Sequence, residues 1–209
     1  MSRPLWAANE PVTNAAPKTK GRIVVLGDSI TAGFGLDPDQ AYPAVLQRKL
    51  DAAGLPFSVV NAGLSGDTTS GGVRRVDWAL GAGAEVLIIA LGGNDGLRGI
   101  SPKQTEENLR EIIKRARAKA PTISIIIAGM EMPGNMGKEF VEQFRDVFPR
   151  VAAETSAALV PFLIEGVGGV PELNQADMIH PTPDGQKRVA ENVWKILEKV
   201  LRKEMPIGK

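Results

Sequence analysis

The sequence predicts an α/β protein, a three-layer α/β/α sandwich on a five-stranded parallel sheet. Three observations predict it. After Lys20, short runs rich in β-branched residues alternate with longer amphipathic segments. The most apolar run, "EVLIIAL" at 85–91, has no polar alternation, so both its faces are expected to be covered. The runs end on glycine or small polar residues, as strands do where they feed a turn. Strands alternating with helices give a parallel sheet with helices on both faces.

The elements follow in order. "RIVVLG" (22–27) is a buried strand stopped by glycine. "AYPAVLQRKLDAAG" (41–54) has helical apolar spacing, with Pro43 in the first turn and Gly54 as C-cap. "FSVVNAG" (57–63) is the second strand, and "TTSGGVRRVDWAL" (68–80) a helix weakened by its glycine pair. "EVLIIALGGND" (85–95) holds the third strand. In "SPKQTEENLREIIKRARAKA" (101–120), Ser101 is the expected N-cap, Pro102 suits the first helical position, and Leu109, Ile112, Ile113 and Ala116 form the apolar stripe. "ISIIIAGM" (123–130) is the fourth strand. "GKEFVEQFRDVFPRVAAET" (137–155) is a helix with an interruption expected at Pro149. "AALVPFL" (157–163) is the fifth strand, and "PTPDGQKRVAENVWKILEKVLRK" (181–203) the closing helix. The expected strand order is flavodoxin-like, in a single domain spanning 21–209.

Composition narrows the chemistry. The 209 residues carry a net charge of +1, so no strong field favours nucleic acid or an acidic membrane, and no nucleic-acid partner is expected. There are no cysteines, which excludes disulfides, thiolate metal sites and a cysteine nucleophile. A single histidine, His180, rules out a multi-histidine metal centre within one chain. No run approaches the ~20 apolar residues of a membrane span. Residues 1–20, rich in Pro, Ala, Asn and Thr, read as a disordered arm or the remnant of a trimmed signal peptide. The compartment follows from that choice: periplasmic or secreted if a signal was removed, cytoplasmic otherwise.

In open parallel sheets, ligands bind beyond the carboxyl ends of the strands. Those ends carry Gly27-Asp28-Ser29, then Ser65-Gly66-Asp67, then Gly93-Asn94-Asp95, and Asp177 to His180 precede the last helix. This set contains the parts of an acyl-transfer site. Ser29, at a strand-to-helix turn, is the candidate nucleophile, and His180 is the only imidazole available as base. Asp177 lies three residues earlier, a spacing that brings a carboxylate to Nδ1 in a tight turn and leaves Nε2 facing the serine. The backbone N–H groups of Ser29 and Gly66 and the carboxamide of Asn94 are candidate oxyanion donors. Taken singly, each of these residues also reads as turn chemistry, and Asp28, Asp67 and Asp95 are expected to shape loops. Leu97, Ile100, Met130, Met132, Met136 and Phe162 lie near strand ends and suit an acyl chain.

The stretches "GDSI", "NAGLSGDT", "LGGNDGLRG" and "DMIHP" together resemble the four blocks of the SGNH hydrolases, the GDSL-type esterases and lipases. The resemblance covers about residues 22–200, with Ile30 where leucine is common. "GDSITAGFG", "SGDTT" and "DMIHPTPDGQ" most resemble the bacterial acyl-CoA thioesterase I, lysophospholipase and arylesterase group. It implies hydrolysis of small to medium acyl esters and thioesters through an acyl-enzyme on Ser29, without metal or organic cofactor. It also maps a substrate-covering loop onto Gly96 to Pro102. Two alternatives stay open: a carbohydrate acetylesterase of the same fold, and a non-catalytic flavodoxin-like binding module. The second lacks both a Walker lysine and a GxGxxG loop.

Overall fold

The structure, a computed structural model, describes residues 21–81 and 83–204. The arm expected at 1–20 lies outside the described residues.

Five strands form one parallel sheet: β1 (Gly21–Gly27), β2 (Phe57–Gly63), β3 (Val86–Ala90), β4 (Ser124–Ala128) and β5 (Ala158–Val160). Their order is β2-β1-β3-β4-β5, the doubly wound order expected from the sequence. Among the described residues, seven α-helices accompany them: α1 (Ser29–Ala32), α2 (Tyr42–Ala52), α3 (Thr69–Leu80), α4 (Gly93–Leu97), α5 (Pro102–Lys119), α6 (Lys138–Thr155) and α7 (Pro183–Glu204). On one side α5 packs against α3 and α6, and on the other α2 packs against α7. All five residues of β3 are buried between the layers, which explains their unbroken apolar run.

Local signals set most helix ends. The Ser101 side chain accepts the Gln104 N–H at 3.2 Å, and Pro102 opens α5. Gly54 adopts a left-handed conformation just past the end of α2. The interruption expected at Pro149 does not occur, and α6 runs through it. A proline removes one N–H and crowds the turn before it. Phe144, Val147 and Phe148 before Pro149 and Val151 after it are all buried, so both halves of α6 are held to the sheet. The one-turn helices α1 and α4 add to the expected elements and are too short to carry an apolar period.

The turn after β1 is packed closely on the strand ends. A Cβ on Gly27 would meet Thr31 Oγ1 at 1.9 Å, and one on Gly63 would meet the Ala32 nitrogen at 2.3 Å. Three polar side chains hold α1 from other elements. Thr31 Oγ1 lies 2.9 Å from the Tyr42 hydroxyl, and Asn61 Nδ2 donates to the Thr31 carbonyl at 2.9 Å. Gln186, buried on α7, accepts the Tyr42 N–H at 2.9 Å and donates to the Ile30 carbonyl at 3.0 Å. Gln186→Leu strands two buried backbone groups. It should cost roughly 2–4 kcal/mol, read from urea unfolding; a loss below 0.5 kcal/mol (about the scatter of a neutral surface change) would refute that tie.

Candidate active site

Three strand-end segments and the loop before α7 bring the candidate residues together. Ser29 is the first residue of α1, so its N–H has no intrahelical partner by position. Its Oγ lies 2.9 Å from His180 Nε2, across 151 residues of chain. His180 Nδ1 in turn lies 2.6 Å from Asp177 Oδ2.

The loop that carries His180 is built locally. Its two arms are closed by backbone hydrogen bonds from Gln175 N–H to the His180 carbonyl at 2.7 Å and from Thr182 N–H to the Leu173 carbonyl at 2.9 Å. At the tip, Met178 takes a left-handed conformation, φ +60°. There Asp177 Oδ1 accepts the N–H groups of Ile179 and His180, each at 2.9 Å. The backbone N–H of His180, its imidazole and the Ile179 N–H together hold the Asp177 carboxyl down at about 2. It is therefore ionised at neutral pH, with its second oxygen against Nδ1.

The other candidates frame Ser29. Gly66 has φ +78°, a left-handed conformation that favours glycine. Its N–H makes no hydrogen bond among the described residues, and its carbonyl accepts Arg98 Nη2 at 3.0 Å. Asn94, near the start of α4, donates one Nδ2 proton to the Asp67 carbonyl at 2.9 Å. Its other proton has only a long 3.4 Å contact to Asp28 Oδ2, which leaves it available to a developing anion.

The loop carboxylates hold this frame. Asp95 is fully buried and accepts Thr69 N–H at 2.9 Å and Thr69 Oγ1 at 2.5 Å, joining α4 to the start of α3. Asp67 accepts Arg75 Nε at 2.6 Å. Arg75 also donates to the carbonyls of Ala62 at 2.7 Å and Gly27 at 2.8 Å, tying the ends of β2 and β1 together. Arg75 escapes a sequence reading, because arginine on an amphipathic helix ordinarily faces water.

The expected acyl-contact residues divide. Leu97 is half exposed beside Asn94, and Ile100 and Phe162 are partly buried. Met136 is partly buried against the core. Met130 and Met132 are both buried in the core. Met132 packs on Gly96, where an added Cβ would meet its sulfur at 2.2 Å, and Met130 lies under Gly92. They support the α4 turn from beneath. A cavity of about 600 Å³ between β2 and α3, lined by Arg22, Val60, Leu64 and Trp78 among others, contains none of the five candidate residues.

A serine, an imidazole and a carboxylate in hydrogen-bonded series, flanked by N–H donors, define the site class of the serine hydrolases. The chain belongs to the GDSL-like lipase/acylhydrolase family, whose model matches residues 25–188. It is 44% identical over 180 residues to esterase TesA of Pseudomonas aeruginosa, a match that covers 86% of this chain and 89% of that protein. It is 37% identical over 177 residues to thioesterase 1/protease 1/lysophospholipase L1 of Escherichia coli K12, covering 84% of this chain and 83% of that one. The crystal structure of TesA superposes with a TM-score of 0.81 at 43% identity, over 86% of this chain and 99% of that one.

Asp28 differs from Asp177 in environment and in direction. It is buried beside Ser29, and burial raises its carboxyl from 3.8 to about 6, against the pull of the Ile30 N–H that it accepts at 3.0 Å. The folded protein therefore holds that proton more tightly than the unfolded chain, so this group's contribution to stability falls as pH rises between about 4 and 6. Asp28→Asn keeps an oxygen for Ile30 but does not titrate. Relative to the parent, its unfolding free energy should rise across that window by about 2–3 kcal/mol and then level off. Urea unfolding at stepped pH checks this; a difference that does not change with pH would contradict it.

Proposed function

We infer that this ester hydrolase cleaves carboxylic esters and thioesters of small to medium acyl chains through an acyl-enzyme on Ser29. The observation that carries the reading is the unbroken series Ser29 Oγ, His180 Nε2, His180 Nδ1, Asp177 Oδ2, with spacings of 2.9 and 2.6 Å. The names of the two relatives, an esterase and a thioesterase/lysophospholipase, agree with it.

The steps follow from the geometry. Ser29 Oγ attacks the acyl carbonyl as His180 Nε2 takes its proton. The carbonyl oxygen becomes an anion facing the N–H groups of Ser29 and Gly66 and the carboxamide of Asn94. Collapse breaks the bond to the leaving oxygen or sulfur, which takes the proton from Nε2. Water then attacks the acyl-enzyme with the same imidazole as base and releases the acid. Asp177 stays ionised and offsets the imidazolium charge that forms in both halves.

Several large apolar side chains near these residues are exposed, among them Phe34, Leu64, Leu97 and Ile179. They favour an apolar acyl substrate over an acetylated sugar, whose ring needs polar partners. Among the described residues, no helix is long and apolar enough to cross a membrane.

A fluorophosphonate should form one covalent adduct, located at Ser29 by peptide mass spectrometry; folded protein that stays unlabelled would overturn the mechanism. Ser29→Ala and His180→Ala should each lower kcat by about 10⁴-fold or more. Asn94→Ala should lower kcat about 10²–10³-fold with little change in KM, measured on p-nitrophenyl butanoate. Activity should fall toward acid pH, because His180 must be neutral to take the serine proton.

A further inference from the structure

Phe34 lies five residues after Ser29, and its ring centroid sits 4.5 Å from that of His180 at an interplanar angle of 35°. The residue is nonetheless 49% exposed. Its backbone is fixed on both sides. The Phe34 N–H donates to the Ser29 carbonyl at 3.0 Å, and the Phe34 carbonyl accepts Gln175 Nε2 at 2.8 Å. The same Gln175 nitrogen donates to the Pro181 carbonyl at 3.1 Å, and the Gln175 N–H to the His180 carbonyl at 2.7 Å. One glutamine thus ties the phenylalanine to the loop that carries the base. The result is an aromatic face held beside the imidazole and left open to solvent.

The chemistry determines what meets that face. When the tetrahedral adduct collapses, the bond from the acyl carbon to the leaving oxygen or sulfur breaks and its electron pair goes to that atom. The atom then takes the proton from His180 Nε2, so it must lie within hydrogen-bond reach of Nε2. The remainder of the leaving group extends from there across the edge of the imidazole. The acyl chain departs from the same carbon in a different direction.

We propose that Phe34 is a specificity-determining residue, a platform on which flat or apolar leaving groups, aryl alcohols and thiols above all, rest while His180 protonates the departing atom. This rests on the reading of Ser29 as nucleophile. Two other roles are open to a ring in this place. It can serve only to hold the imidazole, or it can wall the acyl chain.

The three roles differ in sign. Phenoxide is a good leaving group and needs little protonation, whereas ethoxide depends on it. A displaced imidazole therefore slows an ethyl ester more than a phenyl ester. Loss of an aromatic platform does the reverse. The measurement is kcat/KM, which reports every step up to acylation, for phenyl and ethyl butanoate with the parent enzyme and with Phe34→Ala, Phe34→Leu and Phe34→Trp.

The phenyl ester should lose about three- to tenfold more than the ethyl ester in Phe34→Ala, the worth of one aromatic contact. Phe34→Leu should fall between, and Phe34→Trp should restore the parent's ratio. The preference among phenyl esters from acetate to octanoate should stay unchanged. Equal losses, or a larger loss for the ethyl ester, would overturn the proposal in favour of a positioning role. A changed chain-length preference at a constant phenyl-to-ethyl ratio would overturn it in favour of an acyl wall. Fluorophosphonate labelling of the parent, run alongside, separates the two levels. Parent protein that is unlabelled and hydrolyses neither ester loses the Ser29 reading, whereas labelled parent with an unaltered ratio in all three variants loses the Phe34 assignment alone.

Discussion

The close approach of the β1–α1 turn to the ends of β1 and β2 is the constraint on which the rest of the site depends. Side chains at positions 27 and 63 would occupy the space of Thr31 and Ala32. With glycine there, α1 packs directly on the ends of β1 and β2. Tyr42, Asn61 and Gln186 then hold that helix from α2, β2 and α7. Gln186 has a double role, because α7 begins just after the loop that carries His180. The helix that anchors the Ser29 turn therefore also bears on the distance from Ser29 to His180.

The same edge handles two carboxylates in opposite ways. Asp177 is partly open to water and bonded to two backbone N–H groups and the imidazole, so its charge is favoured. Asp28 is enclosed at the β1–α1 turn, so its charge is disfavoured. In the proposed mechanism, the residue that offsets positive charge is thus the one whose surroundings keep it negative. Asp95 and the pair of Asp67 and Arg75 act on the frame instead. They join the start of α3 to α4 and to the ends of β1 and β2, which keeps Gly66 and Asn94 in one arrangement relative to Ser29.

Much of this is legible in the order of residues alone. Short β-branched runs ended by glycine announce the strands, and Ser101 and Pro102 mark the start of α5 at the residue. These signals are local, and local backbone chemistry suffices to read them. The departures are non-local. Pro149 reads as a break, yet four buried neighbours hold α6 across it. Met130 and Met132 read as pocket residues because they follow a strand, yet the turn above them is built on them. Arg75, Gln175 and Phe34 carry no signal, since an arginine on a helix, a glutamine in a loop and an aromatic among glycines are common on any surface.

The sequence by itself determined the alternation of strands and helices, the sole imidazole, and the acid three residues before it. Each is a matter of residue type and short spacing. Only the tertiary structure decided that His180 meets Ser29 across 151 residues, that the Asn94 amide is held at 2.9 Å by Asp67 and only at 3.4 Å by Asp28, and that an exposed phenylalanine lies on the imidazole. Those facts depend on strand order and on close packing between distant segments, which no local pattern encodes.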